Sequence, residues 1–374
     1  MRSECVPRAS RCCRLGRVAV RARGQQGGSW LINVGIVGYG YAGRNFHSYL
    51  VGLADGLHLE AIASSRPEKR AQIVAERGCR AVASIDDLLG DPRIDLVVLA
   101  TPHDTHAPLA IAALQAGKHV VTDKVMCLSL QEADAMIGAA RRTGRLLSVF
   151  HNRRWDWDYQ TVRKIIADGL IGRPYLYECA VLGYGTPHGW RAEAARSGGV
   201  LHDWGAHLLD QALQLVPGKV VEVFCHVAHV RPEPAIGNFG KLDLRFEDGT
   251  LFEICCGNLA RQGKPRWYVL GDSGSILREG LDPQEPAMNR GDIDAAREDP
   301  AGRARVRTTI AGLPTDLVVD SLRPSWKAYY QNISDHLAGK ADLAVTPESV
   351  RRTIAVYDAA AQAAQAGQSV RVDI

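Results

Sequence analysis

Short, mostly apolar runs alternate with stretches of helical period from residue 32 to residue 150. The runs 32–37, 57–63, 94–100, 119–123 and 146–150 are too short for helices and too continuous for half-exposed strands, so they read as strands buried on both faces. Between them the spacing predicts helices over 42–53, 67–77 and 105–116; Pro67 suits a first helical turn and Gly117 stops the third helix. Ser129-x-x-Glu132 has the spacing of a capping box and opens a helix that runs to Thr143 and stops at Gly144. Strands alternating with helices in this way imply a doubly wound parallel sheet over residues 31–150.

Past residue 150 the period changes. Helices are expected over 159–168 and 204–215, then strand-like runs at 220–230, 241–246, 251–256, 267–270 and 275–278, with Asp248-Gly249 as a hairpin turn. The fold class is therefore α/β, its second part, residues 151–374, an α+β domain on a mainly antiparallel sheet with helices on one face. Residues 281–315, rich in Pro, Gly, Asp and Arg, read as a long excursion or lid of low order. The chain closes on helices over 325–337 and 347–366, the last placed to return to the first domain.

The first apolar run ends in Gly38-Tyr39-Gly40-Tyr41-Ala42-Gly43, a strand-to-helix junction with glycines spaced to bind a dinucleotide. Gly38 allows the tight turn, Gly40 lets backbone approach a pyrophosphate, and Gly43 lets the helix pack close with its N-terminus toward the anion. A carboxylate at the end of the second strand would hold a bare ribose. Here the chain offers Ser64-Ser65-Arg66, with Lys69 and Arg70 one turn on, hydroxyls and cations suited to the 2′-phosphate of NADP, so NADP is expected in preference to NAD.

Charge narrows the partners. The formal net charge is +4, yet residues 1–30 hold seven arginines against Glu4 alone, a local +6 that leaves residues 31–374 at −2. A near-neutral body gives no basic footprint for nucleic acid. The Arg-rich leader has no apolar run long enough for a secretory signal or membrane span, and it is expected to lie outside the fold. Of nine cysteines, three (Cys5, Cys12, Cys13) sit in that leader and no C-x-x-C pair occurs, which fits a reducing cytoplasm and no structural metal.

The second informative stretch is Gly198-Gly199-Val-Leu-His202-Asp203-Trp-Gly-Ala-His207-Leu-Leu-Asp210. Asp203 and His207 are spaced i, i+4, so a carboxylate could orient an imidazole as a general acid/base pair. A surface ion pair, or a metal site using His202, Asp203 and His207, has the same spacing.

Taken in order, the glycine turn, Ala100-Thr101-Pro102-His103-Asp104-Thr105-His106, the stretch from Ala116 to Lys124, Asn152-Arg153-Arg154-Trp155 and the Gly198 to Asp210 stretch resemble the successive signatures of the Gfo/Idh/MocA oxidoreductases over roughly residues 32–370. The resemblance implies a Rossmann domain followed by an open-faced sheet domain, and a nicotinamide cofactor touched by Thr101, Pro102, His103, His106, Asp123, Lys124, Asn152 and Arg154. It places the catalytic lysine on Lys124 and the Asp and His on Asp203 and His207. The chain reads Asp123-Lys124-Val125 where the family usually reads Glu-Lys-Pro, a shorter carboxylate and no ring to fix φ. Tyr184, His188, Trp190 and Arg191 would lie beside the substrate, with Lys124, Asn152, Asp203 and His207. The implied substrate is a sugar, inositol or related polyol, and the implied assembly a homo-oligomer, dimer or tetramer, through the second sheet. An NAD-dependent glycosidase and a non-catalytic sugar or nucleotide sensor are the other readings that this superfamily admits.

Overall fold

The computed structural model describes residues 31–374 apart from Pro234. The expectations for the leader and for Cys5, Cys12 and Cys13 lie outside the described residues.

Among the described residues, six parallel strands form the first sheet: β1 (Ile32–Val37), β2 (Leu57–Ala63), β3 (Arg80–Val82), β4 (Leu96–Leu99), β5 (His119–Thr122) and β6 (Leu147–Val149), in the order β3-β2-β1-β4-β5-β6. β4, β5 and β6 are buried throughout, as continuous apolar strands under helices on both faces must be. The chain reverses direction across the sheet between β1 and β4, and doubly wound sheets bind ligands beyond the carboxyl ends of the strands at such a point. Ser129 Oγ accepts from Glu132 N, while the Glu132 carboxylate takes Leu128 N, so the cap is closed one residue earlier than in the reciprocal box. β3 and the helix Ile85–Leu89 behind it were not expected; Ser84 and Asp87 form the reciprocal capping box that signals that helix.

The second sheet has nine strands among the described residues: β7 (Pro174–Leu182), β8 (Val220–Ala228), β9 (Phe239–Phe246), β10 (Leu251–Gly257), β11 (Trp267–Gly271), β12 (Gly274–Arg278), β13 (Ala304–Ile310), β14 (Leu313–Val319) and β15 (Val370–Arg371). β7 pairs in parallel with β10, and the other pairings are antiparallel. Residues 281–315 are not of low order. They hold the helix Gln284–Asn289 and β13, which pairs with β12 and with β14 across a turn where Ala311 and Gly312 both have positive φ. The alternation that makes β13, with Ala304 and Val306 inward and Arg305 and Arg307 outward, was hidden by the polar composition around it.

Nearly every residue of the helix Trp204–Leu215 is buried, and it packs on β10. The helix Pro347–Ala366 lies against both β8 and the helix Leu130–Thr143, where Arg351 pairs with Asp134 at 2.5 Å. Trp204–Leu215 and the segments that follow β1, β5 and β6 line one cleft.

Candidate active site

β1 delivers the glycine turn. Gly38 has φ 99°, and a Cβ on it would stand 2.4 Å from Ala100 O; a Cβ on Gly43 would stand 2.1 Å from Gly38 O. Gly40 has nothing within 4 Å of its Cβ position, an open place where backbone can meet a pyrophosphate. Helical structure begins at Ala42 as a π-helical turn to His47 and continues as Ser48–Val51, shorter than the predicted 42–53. Tyr39 keeps its backbone in the turn, but its ring is buried and its hydroxyl donates to Glu76, which also takes Arg44 at 2.7 Å, so this side chain serves helix packing. Tyr41 projects over the cleft, where its hydroxyl donates to Glu285 and accepts from Asn289, both at 2.9 Å.

β2 ends beside the turn, with Gly38 N donating to Ala63 O. Ser64 Oγ accepts from Arg66 N, Arg70 donates to Ser64 O at 2.8 Å, and exposed Ser65 and Arg66 make no ion pair among the described residues.

β4 and β5 deliver the next stretches. Pro102 precedes a short turn over His103–Thr105, and Thr101 Oγ1 accepts from Thr105. His106 is fully buried with Nδ1 at 2.7 Å from Val125 O and Nε2 at 3.0 Å from Thr101 O, so it ties the two loops together and has no free edge for a cofactor. His103 lies 2.8 Å from Ser197 O and meets Trp190 edge to face. Burial first, then the neighbouring His106 and Lys124, hold His103 down to about 3, so it is neutral near pH 7. Asp123 Oδ1 accepts from Lys124 N, and its other oxygen faces His47 at 3.6 Å.

Lys124 Nζ donates to Asp203 Oδ1 at 2.5 Å and to Asp203 O at 2.8 Å. The lysine beside it holds the half-exposed Asp203 carboxyl down to about 2. This corrects the expected dyad: Asp203 does not orient His207. It stands before the first helical residue with φ −88° and ψ −88°, so the i, i+4 geometry of a helix interior does not apply, and its carboxylate turns to the lysine. His207, 7% exposed, has Nδ1 sealed from solvent without a partner, while the other side of its ring forms cleft wall. Burial, then the charge of Lys124 and Arg153, puts its pKa well below the ordinary imidazole value.

After β6, Asn152 enters the wall with its amide nitrogen buried and unpartnered. Arg154 does not reach the cleft. Its guanidinium is forked onto Asp210 at 2.7 and 2.8 Å and bonded to Ala344 O, so the expectation that it touches cofactor is corrected to a structural anchor. Its neighbour Arg153 faces the cleft instead, donating to Glu285 at 2.7 Å with its guanidinium 4.2 Å from the centre of the Trp204 ring. Arg153 and Glu285 were missed. The paired arginines carried the signal for the first, but which of the two turns inward depends on the phase of the Asn152–Trp155 turn, and Glu285 sat in the stretch read as an excursion or lid of low order.

Of the loop residues expected beside the substrate, Arg191 reaches the cleft and Trp190 packs on His103. Tyr184 and His188 do not line it: Tyr184 is exposed with Arg261 over its ring at 3.9 Å, and His188 is exposed. The Tyr184 backbone makes an isolated antiparallel bridge to Leu259. The cleft is about 240 Å³, with Lys124, His207, Asn152 and Tyr41 on its walls. Among the described residues no group of three or more His, Cys, Asp and Glu is gathered for a metal, and no helix is long and apolar enough to cross a membrane.

Comparison with known proteins gives relatives over both domains. The family model described as the oxidoreductase family with an NAD-binding Rossmann fold matches residues 32–151, and the Gfo/Idh/MocA C-terminal domain matches residues 159–277. The chain is 35% identical to the uncharacterised oxidoreductase YdgJ of Escherichia coli K12, over 83% of this chain and 90% of that protein. It is 31% identical to the NADP(+) scyllo-inositol 2-dehydrogenase IolW of Bacillus subtilis, over 91% of this chain and 96% of the relative. The solved structure of the oxidoreductase YvaA of Bacillus subtilis superposes with a TM-score of 0.85 at 28% identity, covering 91% of this chain and 98% of that one.

Proposed function

The chain belongs to the Gfo/Idh/MocA oxidoreductase family, and we propose that it interconverts a carbinol and a ketone of an inositol, sugar or related polyol, with NADP(H) in preference to NAD(H). The observation that carries this reading is the Lys124–Asp203 pair at 2.5 Å, set beside His207 in a cleft that opens onto the glycine turn. The similarity to an NADP(+) scyllo-inositol dehydrogenase supports the substrate class and the cofactor. Residues 31–150 act as the nucleotide-binding domain and 151–374 as the substrate-binding and oligomerisation domain, and six free cysteines among the described residues suit a reducing cytoplasm.

The glycine cradle fits a dinucleotide: Gly38 and Gly43 cannot carry side chains without meeting backbone, and Gly40 leaves the approach open. Gly38, Gly40, Ala42 and Gly43 would hold the pyrophosphate, and the nicotinamide supplies the hydride acceptor or donor when bound. The protein supplies orientation and a proton acceptor. Lys124, held in place by Asp203, binds the reacting oxygen; neutral His207 takes the hydroxyl proton on oxidation and returns it on reduction. Arg153, Asn152 and Arg191 offer donors to the remaining hydroxyls, and the Trp204 face packs against the ring of a polyol. A cofactor-linked absorbance screen over inositols, aldoses, glycosides and their keto forms tests the reading. Net cofactor reduction with a polyol supports it, and turnover of a glycoside without net reduction replaces it.

Cofactor preference rests on Ser64, Ser65 and Arg66. A charge-assisted bond from Arg66 to a 2′-phosphate contributes about 1.5–3 kcal/mol, roughly 10- to 150-fold in preference. Arg66→Ala is expected to erase most of the NADP over NAD ratio in kcat/KM. Equal use of both cofactors by the parent contradicts this assignment.

The pH profile follows from His207. Because burial and the nearby cations favour the neutral ring, the base is already free at pH 7, and the acid limb of kcat/KM for carbinol oxidation should lie well below 6.5. An inflection at or above 6.5 that His207→Ala removes would place the base in a wetter setting than this cleft.

A further inference from the structure

Beneath His207 lies a second imidazole. His151 follows β6, is 1% exposed, and neither of its ring nitrogens has a hydrogen-bond partner. Its Nδ1 stands 3.7 Å from Asp210 Oδ2, and its ring meets that of His207 edge to face with centroids 6.0 Å apart. Asp210 is held ionised and in place by the forked bond from Arg154. Leaving an imidazole nitrogen buried and unpaired is costly, and three such nitrogens in two adjacent rings are more than packing requires.

We propose that His151 is a positioning residue for His207, setting its tautomer through a directional series that starts at Asp210. The Asp210 carboxylate accepts from His151 Nδ1–H, and His151 Nε2 accepts from His207 Nδ1–H, directly or through one water. His207 Nε2 is then the lone pair that meets the cleft and takes the substrate hydroxyl proton. Catalytic hydrogen bonds are commonly longer before substrate is bound than in the reacting complex, which accommodates the 3.7 Å between His151 Nδ1 and Asp210 Oδ2.

The surrounding charges agree with this polarity. His151 faces Asp210, Arg154, Lys124 and Asp123, and His207 faces Lys124, Arg153 and Arg266. Burial, the largest influence, takes His151 down to about 4 although Asp210 pulls the other way, so it is neutral and can accept at Nε2 near pH 7. The cations disfavour a proton on His207 until one arrives from substrate. A neutral acceptor behind Nδ1 then spreads the imidazolium charge toward Asp210.

The inference rests on His207 as the base, and its test separates the two. In the full chain, His151→Phe is expected to lower kcat on the order of tenfold or more, part of the 10² to 10⁴ a general base contributes. Substrate KM and dinucleotide Kd should stay within about twofold, and the acid limb should move to lower pH as the imidazolium loses its acceptor. His151→Gln, which keeps an acceptor, should recover part of the loss. Nitrogen NMR of labelled histidine should find His207 protonated at Nδ1 in the parent and mixed between tautomers in His151→Phe. Parental kcat and pH profile in a folded His151→Phe overturn the inference, as does an Nε2–H tautomer of His207 in the parent even if that variant fails to fold. Retained turnover in His207→Ala rejects the base itself and leaves the tautomer measurement to judge the Asp210–His151–His207 series.

Discussion

Alanine at His207 or at Lys124 is expected to cost at least about 10² in kcat while dinucleotide binding is retained. Neither side chain builds the glycine turn, so the cradle for the pyrophosphate stays intact. His207→Ala removes the proton acceptor and leaves a small hole in the helix Trp204–Leu215, which is otherwise packed by Ala206, Leu208 and Leu209. Lys124→Ala removes the group that holds the reacting oxygen, and the Asp203 carboxylate left behind is half exposed and can be solvated. Asp203→Asn separates the two roles. Because Asp203 holds the lysine and not the imidazole, the variant should resemble a weakened Lys124→Ala, with the acid limb set by His207 unmoved. Titration of each variant with dinucleotide, beside steady-state rates on a confirmed substrate, checks all three.

Gly43→Ala should do more damage to the molecule than any substitution in the catalytic group. Its Cβ would lie 2.1 Å from Gly38 O and 3.0 Å from Gly38 C, both backbone atoms of the turn, so the clash cannot be relieved by rotating a side chain. Overpacking of this kind costs about 1–3 kcal/mol, and shifting the turn to relieve it spoils the cradle as well. Gly40→Ala is the matched control: its Cβ meets nothing within 4 Å of the chain, so stability should hold while dinucleotide affinity falls. The expected pattern is a lowered Tm with lost affinity for Gly43→Ala, and an unchanged Tm with weakened affinity for Gly40→Ala. Parental affinity in both variants would place the dinucleotide elsewhere.

The middle of the parallel sheet was legible because β4 and β5 are short, mostly apolar runs buried throughout, a pattern that few other environments impose. The glycine turn was legible because its spacing is dictated by backbone contacts, which leave little freedom in residue type. The interior of the second sheet was harder to read. β7 opens on Pro174 and carries Glu178, and β13 alternates Arg with Val, so the period-2 signal is diluted by residues that face outward. The site was legible one residue at a time but not as a set of partners. Asp203 has helical spacing to His207 yet stands outside the helix, and Arg153 and Arg154 are adjacent and identical yet turn to opposite sides of the Asn152–Trp155 turn. Glu285 comes from 132 positions along the chain to meet Arg153, a pairing that no local pattern encodes.

Cofactor turnover by the parent and His207→Ala, followed side by side on one polyol with NADP, tests the account most directly. Stoichiometric cofactor reduction by the parent, lost at least about 10²-fold in a His207→Ala protein that still binds the dinucleotide, is the expected result. Near-parental turnover by His207→Ala, or product formed without net cofactor reduction, contradicts it.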